Sequence, residues 1–159
     1  MRKGAHIYNL KYVKLSEIEP AELLPLLNKQ TTRNHLIEHE LFDINGVEGW
    51  IQSKLNVDAA KGCKIRAIMA DKQLAGWCGI QFEEGHYEIA AIIDNNYWGM
   101  GQSVFREIMI WAKELGHTTI LIHLLHTRPE YKFLRKMSKK VYQSKLMGSK
   151  FTTYELGVS

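Results

Sequence analysis

Cysteine, proline and long apolar runs are all scarce in this chain, and each scarcity excludes something. The cysteines are two, Cys63 and Cys78, and they form no Cys-x-x-Cys pair. A disulfide-stapled scaffold is therefore excluded, and a reducing cytoplasm is the simplest compartment. The prolines are three, Pro20, Pro25 and Pro129, and they read as element boundaries rather than as a Pro-rich linker. No apolar run approaches the roughly 18 residues that a membrane span requires, so no membrane is expected as a partner. The opening "MRKGAHIYNLKYVKL" starts basic but then alternates, so no signal peptide is expected. Repeats and low-complexity segments are absent as well.

What is present is an ordinary globular composition. The 159 residues are 45% hydrophobic and 24% charged, which predicts one domain over residues 1–159 with chain enough for a real core. The net charge is +4 and the pI about 9.0. Lysine and arginine gather late, in "RPEYKFLRKMSKKVYQSKLMGSK". Such a cluster suits a nucleic acid, a membrane surface or a polyanionic small molecule, or is a solvated face that keeps the protein soluble.

The hydrophobic period changes along the chain. Residues 5–15 alternate as a strand. "SEIEPAELLPLLNKQ", "TTRNHLIEHELFD" and "NGVEGWIQSKLN" read as helices, the first short or kinked at Pro25 and the third short. "KIRAIMA", "LAGWCGIQFEE" and "HYEIAAIID" then read as three antiparallel strands joined by tight turns. Val104, Ile108, Trp111 and Leu115 recur at helical spacing, and Gly116 stops that helix. "TTILIHLL" is a buried strand, and "RPEYKFLRKMSKK" is a helix begun by Pro129. "VYQSKL" and "KFTTYELGV" are closing strands that offer edges for pairing in a homodimer. The order predicts an α+β fold with a mixed, mostly antiparallel sheet of six to seven strands and helices on both faces. One βαβ crossover stands in the middle.

The sharpest motif lies in that crossover, "NNYWGMGQSVF", residues 95–105. Glycines let a backbone turn tightly and approach a ligand with no Cβ in the way. Successive amides then converge beside a helix N-terminus, which suits a pyrophosphate. A dinucleotide fingerprint needs a third small residue where this chain has Val104, and an acidic ribose partner that "TTILIHLLHT" does not offer. A Walker loop needs Gly-Lys-Ser/Thr, and here Gln102 and Ser103 follow Gly101.

In motif and element order the chain resembles the GCN5-related N-acetyltransferase (GNAT) family. That family carries Gln/Arg-x-x-Gly-x-Gly/Ala between its fourth strand and the next helix. Here the positions read Asn96-Tyr97-Trp98-Gly99-Met100-Gly101, with both glycines in place and Asn96 departing. The resemblance implies a GNAT-like acyl-CoA N-acyltransferase fold and transfer of acetyl from acetyl-CoA directly to a primary amine, with no metal. The acceptor is a small molecule or a peptide or protein amine, and nucleic acid is not expected. It implies that the backbone from Trp98 to Ser103, including Gln102, holds the pyrophosphate. Ala91, Ile92 and Ile93 would line the pantetheine arm, with an amide near Ile92 or Ile93 meeting the oxyanion.

An attacking amine must lose a proton, so a base is needed. Glu88, early on the strand before the loop, is the first candidate; its alternative is a strand-end surface carboxylate. Glu83 and Glu84 follow as weaker candidates. The family's tyrosine acid falls at Leu134, a departure, and Tyr131, three residues earlier on the same helical face, is the substitute candidate. Thr127 stands near the place of a family asparagine. These departures leave open a silent GNAT-like CoA-binding module, or a basic RNA-associated one. Lys132, Arg135 and Lys136 either reach the adenosine phosphates or form a solvated face.

"HLIEH", residues 35–39, matches an inverted zincin pattern with His35 and His39 as ligands and Glu38 as base. No third ligand is evident, and the acetyltransferase reading is preferred. There His35, Glu38 and His39, with Glu40 and Asp43, shape an acceptor pocket that favours a cationic amine. His117, His123 and His126 stand in no ligand spacing, and His123 reads as a sheet residue. Trp77, Cys78, Trp98 and Trp111 read as core or rim.

Overall fold

In the computed structural model, described for residues 7–29, 41–97, 99–126, 131–146 and 148–159, the alternating segments form the strands. They are β1 (Leu10–Val13), β2 (Lys64–Ala70), β3 (Gln73–Glu83), β4 (His86–Ile93), β5 (Thr119–Leu125), β6 (Ser138–Leu146) and β7 (Ser149–Gly157). All seven join one sheet in the order β1-β2-β3-β4-β5-β7-β6. The β4–β5 pairing is parallel and the other pairings are antiparallel. Two-residue turns fix the register of the central hairpins. Asp71 and Lys72 take φ of 49° and 71°, and Glu84 and Gly85 take 50° and 83°, the left-handed pair whose twist matches that of the flanking strands.

Among the described residues four α-helices cover the sheet: α1 (Pro20–Asn28), α2 (Ile44–Ala59), α3 (Gly101–Glu114) and α4 (Lys132–Met137). Alternation along the strands divides the core into two layers. On one face Leu23, Leu27, Val47 and Ile51, from α1 and α2, pack on Ala67, Trp77 and Ile92. On the other, Val104, Phe105, Ile108 and Trp111 of α3 pack on Ile68, Cys78, Ile80 and Ile89. Helix α3 ends as its glycine predicts: Gly116 takes φ +86°, and His117 N–H donates back to Ala112 O at 2.9 Å. Cys78 is fully buried in the α3 layer. Burial pushes its thiol pKa well up, with Glu107 adding to the shift and Arg66 and Lys64 opposing it.

Several expectations change. Strand β1 is short, because Ile7 is 90% exposed and Leu15 begins a 3-10 turn. Helix α2 runs to Ala59 and is long rather than short. Asp43 caps it, its carboxylate accepting from Gly46 N at 2.7 Å. Helix α4 is only six residues. Tyr131 is its N-cap with extended φ and ψ of −99° and 113°, so it does not share a helical face with Leu134. Ser138, Lys139 and Lys140 belong to β6 instead, where strand pairing outweighs the helical pattern. Both sides of β7 are taken by β5 and β6, so only β6 of the two closing strands has a free edge. Within 31–43, residues 31–40 lie outside the described residues. Among the described residues no helix is long and apolar enough to cross a membrane.

Candidate functional site

The site begins where two neighbouring strands part. Strands β4 and β5 pair at Glu88↔Leu121 and Ile89↔Ile122 and not beyond. From that vertex to Ile93 the two diverge, and a cavity of about 1070 Å³ opens between them and the helices. Ala90 to Ile93, Ile122 to Leu124, Gly99, Gly101, Gln102, Tyr131 and Leu134 line it. Asp94 N donates to Ala75 O at 2.7 Å, and in an antiparallel ladder such bonds recur at every second residue. Ile92 therefore turns its backbone toward β3, while Ala91 and Ile93 turn theirs into the gap.

The glycine loop closes the far end. Gly99 takes φ +92°, and a Cβ at Gly99 or Gly101 would meet nothing within 4 Å, so both border open space. Met100 stands at the N-cap of α3, and its side chain makes no cap bond. The first helical bond is Val104 N to Met100 O at 3.0 Å. The amides of Gly101, Gln102 and Ser103 precede it, at the positive end of the helix dipole. Met100 buries its side chain in the core, so it offers only backbone. Asn96 is exposed, with its amide held by Asp94 Oδ1 at 3.0 Å. Tyr97 points elsewhere: its hydroxyl donates to Gln73 Oε1 at 2.7 Å. Trp98, and His35, Glu38 and His39, lie outside the described residues, as does Thr127. Among the described residues no group of His, Cys, Asp or Glu side chains converges on a metal site.

At the vertex stands Glu88, on the α1/α2 face of the sheet and only 16% exposed. Its Oε2 lies 3.0 Å from His123 Nε2 on β5, and its Oε1 accepts from Gln81 Nε2 on β3 at 3.1 Å. His123 Nδ1 lies 2.7 Å from Thr153 Oγ1 on β7, which is 2.6 Å from Ser144 Oγ on β6. An ionised carboxylate only accepts, so His123 carries an N–H on Nε2; in the tautomer with that N–H alone, Nδ1 accepts from the Thr153 hydroxyl. Burial would push the Glu88 carboxyl up. Hydrogen bonds from His123 and Gln81, with the charges of His123 and Lys54, outweigh it and hold the carboxyl below its usual value.

Glu88 is thus no surface carboxylate, whereas Glu83 and Glu84 are exposed. Lys132, Arg135 and Lys136 are exposed on α4. Tyr131 lines the cleft beside Phe133, ring centroids 6.0 Å apart. His123, Gln81, Thr153, Ser144 and Lys54 escape the sequence reading. The alternation around His123 is visible in the chain, but its meeting with Glu88 depends on the parallel β4–β5 register, which no local pattern encodes.

No protein-family model matches the chain, and no curated protein matches it in sequence. Solved structures do match it in shape. A GNAT-family acetyltransferase from Streptococcus pneumoniae superposes with a TM-score of 0.65 at 11% identity, over 95% of this chain and 100% of that one. The chain has the GNAT acyltransferase fold. A Salmonella typhimurium acetyl transferase said to modify the N-terminal serine of ribosomal protein L7/L12 gives 0.69 at 14% identity, over 98% and 97%. Another structure from that organism, named as an acetyltransferase with its cofactor acetyl-CoA, gives 0.67 at 9%, over 96% and 94%. In this GNAT fold the splayed β4–β5 pair, the glycine loop and Glu88 all border one cleft.

Proposed function

We propose that this protein transfers the acetyl group of acetyl-CoA directly to a primary amine. The observation that carries the reading is the cleft itself: it runs from an uncapped helix start with two open glycines to a buried carboxylate where the strands part. The neighbour that holds acetyl-CoA has the same fold, which supports the choice of cosubstrate. The amides of the loop and the first turn of α3 take the pyrophosphate. The pantetheine arm runs along β4 between the parted strands, hydrogen-bonding the inward-facing backbone of Ile93 and Ala91. From Ile93 to Ile89 is four residues, about 13 Å of strand, so the thioester end reaches the vertex beside Glu88.

There the amine nitrogen attacks the thioester carbon, the new C–N bond forms and the C–S bond breaks. Glu88, ionised at neutral pH, accepts the proton that the amine loses. His123 is a positioning residue: its Nε2–H fixes the carboxylate, and the Thr153 hydroxyl fixes the ring. The thiolate leaves toward Tyr131, whose hydroxyl supplies its proton. The inward Ala91 amide, the nearer of the two to the vertex, is the donor available to the oxyanion.

The test is calorimetric titration with acetyl-CoA, followed by thiol release with a panel of amines. Binding together with amine-dependent thiol release is expected. Absence of binding at millimolar acetyl-CoA sinks the reading. Binding without turnover on any amine leaves a silent CoA-binding module, the alternative suggested by Leu134 in the place of the family's tyrosine.

A further inference from the structure

Near Glu88 the cleft holds a cation that forms no ion pair among the described residues. Lys54, on α2, is the one lysine among the described residues that line the cavity. Its Nζ donates to Gln81 Oε1 at 2.9 Å. It lies 4.8 Å from the ring centroid of Trp77 and 5.7 Å from that of Trp50. The two indoles meet edge to face, with centroids 5.2 Å apart. Among the described residues, ion pairs join Lys29 to Asp94, Arg66 to Asp58 and His123 to Glu88, and none includes Lys54. An ammonium has three donors, and Gln81 occupies one. Burial lowers the Lys54 pKa, and the attraction of Glu83 and then Glu88 restores only part of it. Trp77, in the same wall, buries its indole Nε1–H without a partner among the described residues. Among the described residues the cleft thus sets one cation and one carboxylate against each other, with hydrogen-bond donors to spare on the cation's side, beside aromatic walls.

Gln81 also ties this cation to the base. Its amide oxygen accepts from Lys54 and its amide nitrogen donates to Glu88. Cation and carboxylate therefore stand one amide side chain apart. We propose that the acceptor is an α-amino acid, whose carboxylate is held by Lys54 while its amino group faces Glu88, with Trp50 and Trp77 walling the side chain. An α-amino acid separates its two charges by a single carbon, which fits that spacing. A polyamine would set a second cation against Lys54, and a peptide N-terminus would offer a neutral amide in place of the carboxylate. The inference rests on the acetyltransferase reading for its reaction but not for its binding site.

The test uses matched trios: a free amino acid, its carboxamide and the corresponding decarboxylated amine, such as leucine, leucinamide and isoamylamine, extended across the apolar and aromatic amino acids. Binding is followed by tryptophan fluorescence without acetyl-CoA, and thiol release is followed with it. The acids are expected to bind at least 10-fold tighter than their two partners and to show the lower KM. Lys54→Met, which keeps the packed stem, should abolish that preference, and Lys54→Arg should keep it. The inference is overturned if decarboxylated amines or carboxamides match the acids in every trio, if nothing in the panel binds, or if Lys54→Met leaves the preference intact. Amino acid binding without acetyl-CoA binding would overturn the acetyl-transfer reading alone. Efficient transfer to decarboxylated amines would overturn this inference alone.

Discussion

Glu88 on β4 and His123 on β5 meet at 3.0 Å across the short parallel ladder, Glu88 in register with Leu121 and His123 one residue beyond the last pair, Ile89↔Ile122. Beyond them the strands separate and the cleft begins. The pair is thus both the end of the parallel ladder and the floor of the site. This placement makes its removal informative. Glu88→Gln should lower kcat/KM roughly 100- to 10,000-fold, the usual worth of a general base, with acetyl-CoA affinity unchanged by calorimetry. His123→Leu should reduce kcat and alter the acid limb of the pH profile. His123→Gln, which can still donate to the carboxylate, should recover part of the loss.

The same carboxyl carries a pH signature in stability. Its folded-state pKa lies below the ordinary carboxylate value. Its contribution is therefore full above the unfolded value of about 4.3 and is lost as pH falls through the folded value. Thermal melts from pH 6 downward should show a loss of stability below roughly pH 4 that is smaller in Glu88→Gln. An identical acid profile in the two proteins would contradict the assignment.

Gly101 and Gly99 separate binding from folding. A Cβ at Gly101 meets nothing within 4 Å, so Gly101→Trp should fold and melt like the parent while losing acetyl-CoA binding. Gly99→Ala carries an added cost, because φ +92° is unfavourable for any residue with a Cβ; about 1 kcal/mol of stability should go with it. A Gly101→Trp protein that binds acetyl-CoA normally would move the pyrophosphate elsewhere.

Gly76 is a structural glycine of a different kind. A Cβ there would lie 2.0 Å from Ile92 O across the β3–β4 ladder. Gly76→Ala should therefore force the two strands apart and cost about 3 kcal/mol. In a chain of this size that is roughly 6–12 °C in Tm.

Tyr131 is the candidate acid for the thiolate, although it caps α4 rather than lying on it. Tyr131→Phe keeps the ring beside Phe133 and removes the hydroxyl. It should lower kcat about 100-fold with the KM for acetyl-CoA unchanged. An unchanged kcat would mean that the thiolate leaves without a dedicated acid.

The two kinds of glycine show how far local pattern reaches. Gly99 and Gly101 are legible in the chain, because an apolar strand precedes them and an amphipathic helix follows, and both periods are local properties of the backbone. The β2–β3 and β3–β4 hairpins are legible for the same reason, and so is the end of α3 at Gly116. The longer α2 is less so: Asp43 is a good capping residue, yet the weak apolar periodicity of 44–59 does not show how far the helix runs. At α4, the basic run 132–140 suits a helix, but pairing of Ser138 and Lys140 with β7 takes over.

By itself, the sequence determined the elements, the crossover with its glycine loop, and Glu88 as a candidate base, since each rests on neighbours close in the chain. The tertiary structure decided everything that depends on contacts between distant segments. It decided which way β4 turns its backbone, that His123 and Gln81 embrace Glu88, that Tyr131 reaches the cleft from outside its helix, and that Lys54 stands against the touching indoles of Trp50 and Trp77. Side-chain alternation fixes which face of a strand a residue takes, but strand order and register fix whom it meets there. Those come from the burial of two separate core layers, a property of the whole chain.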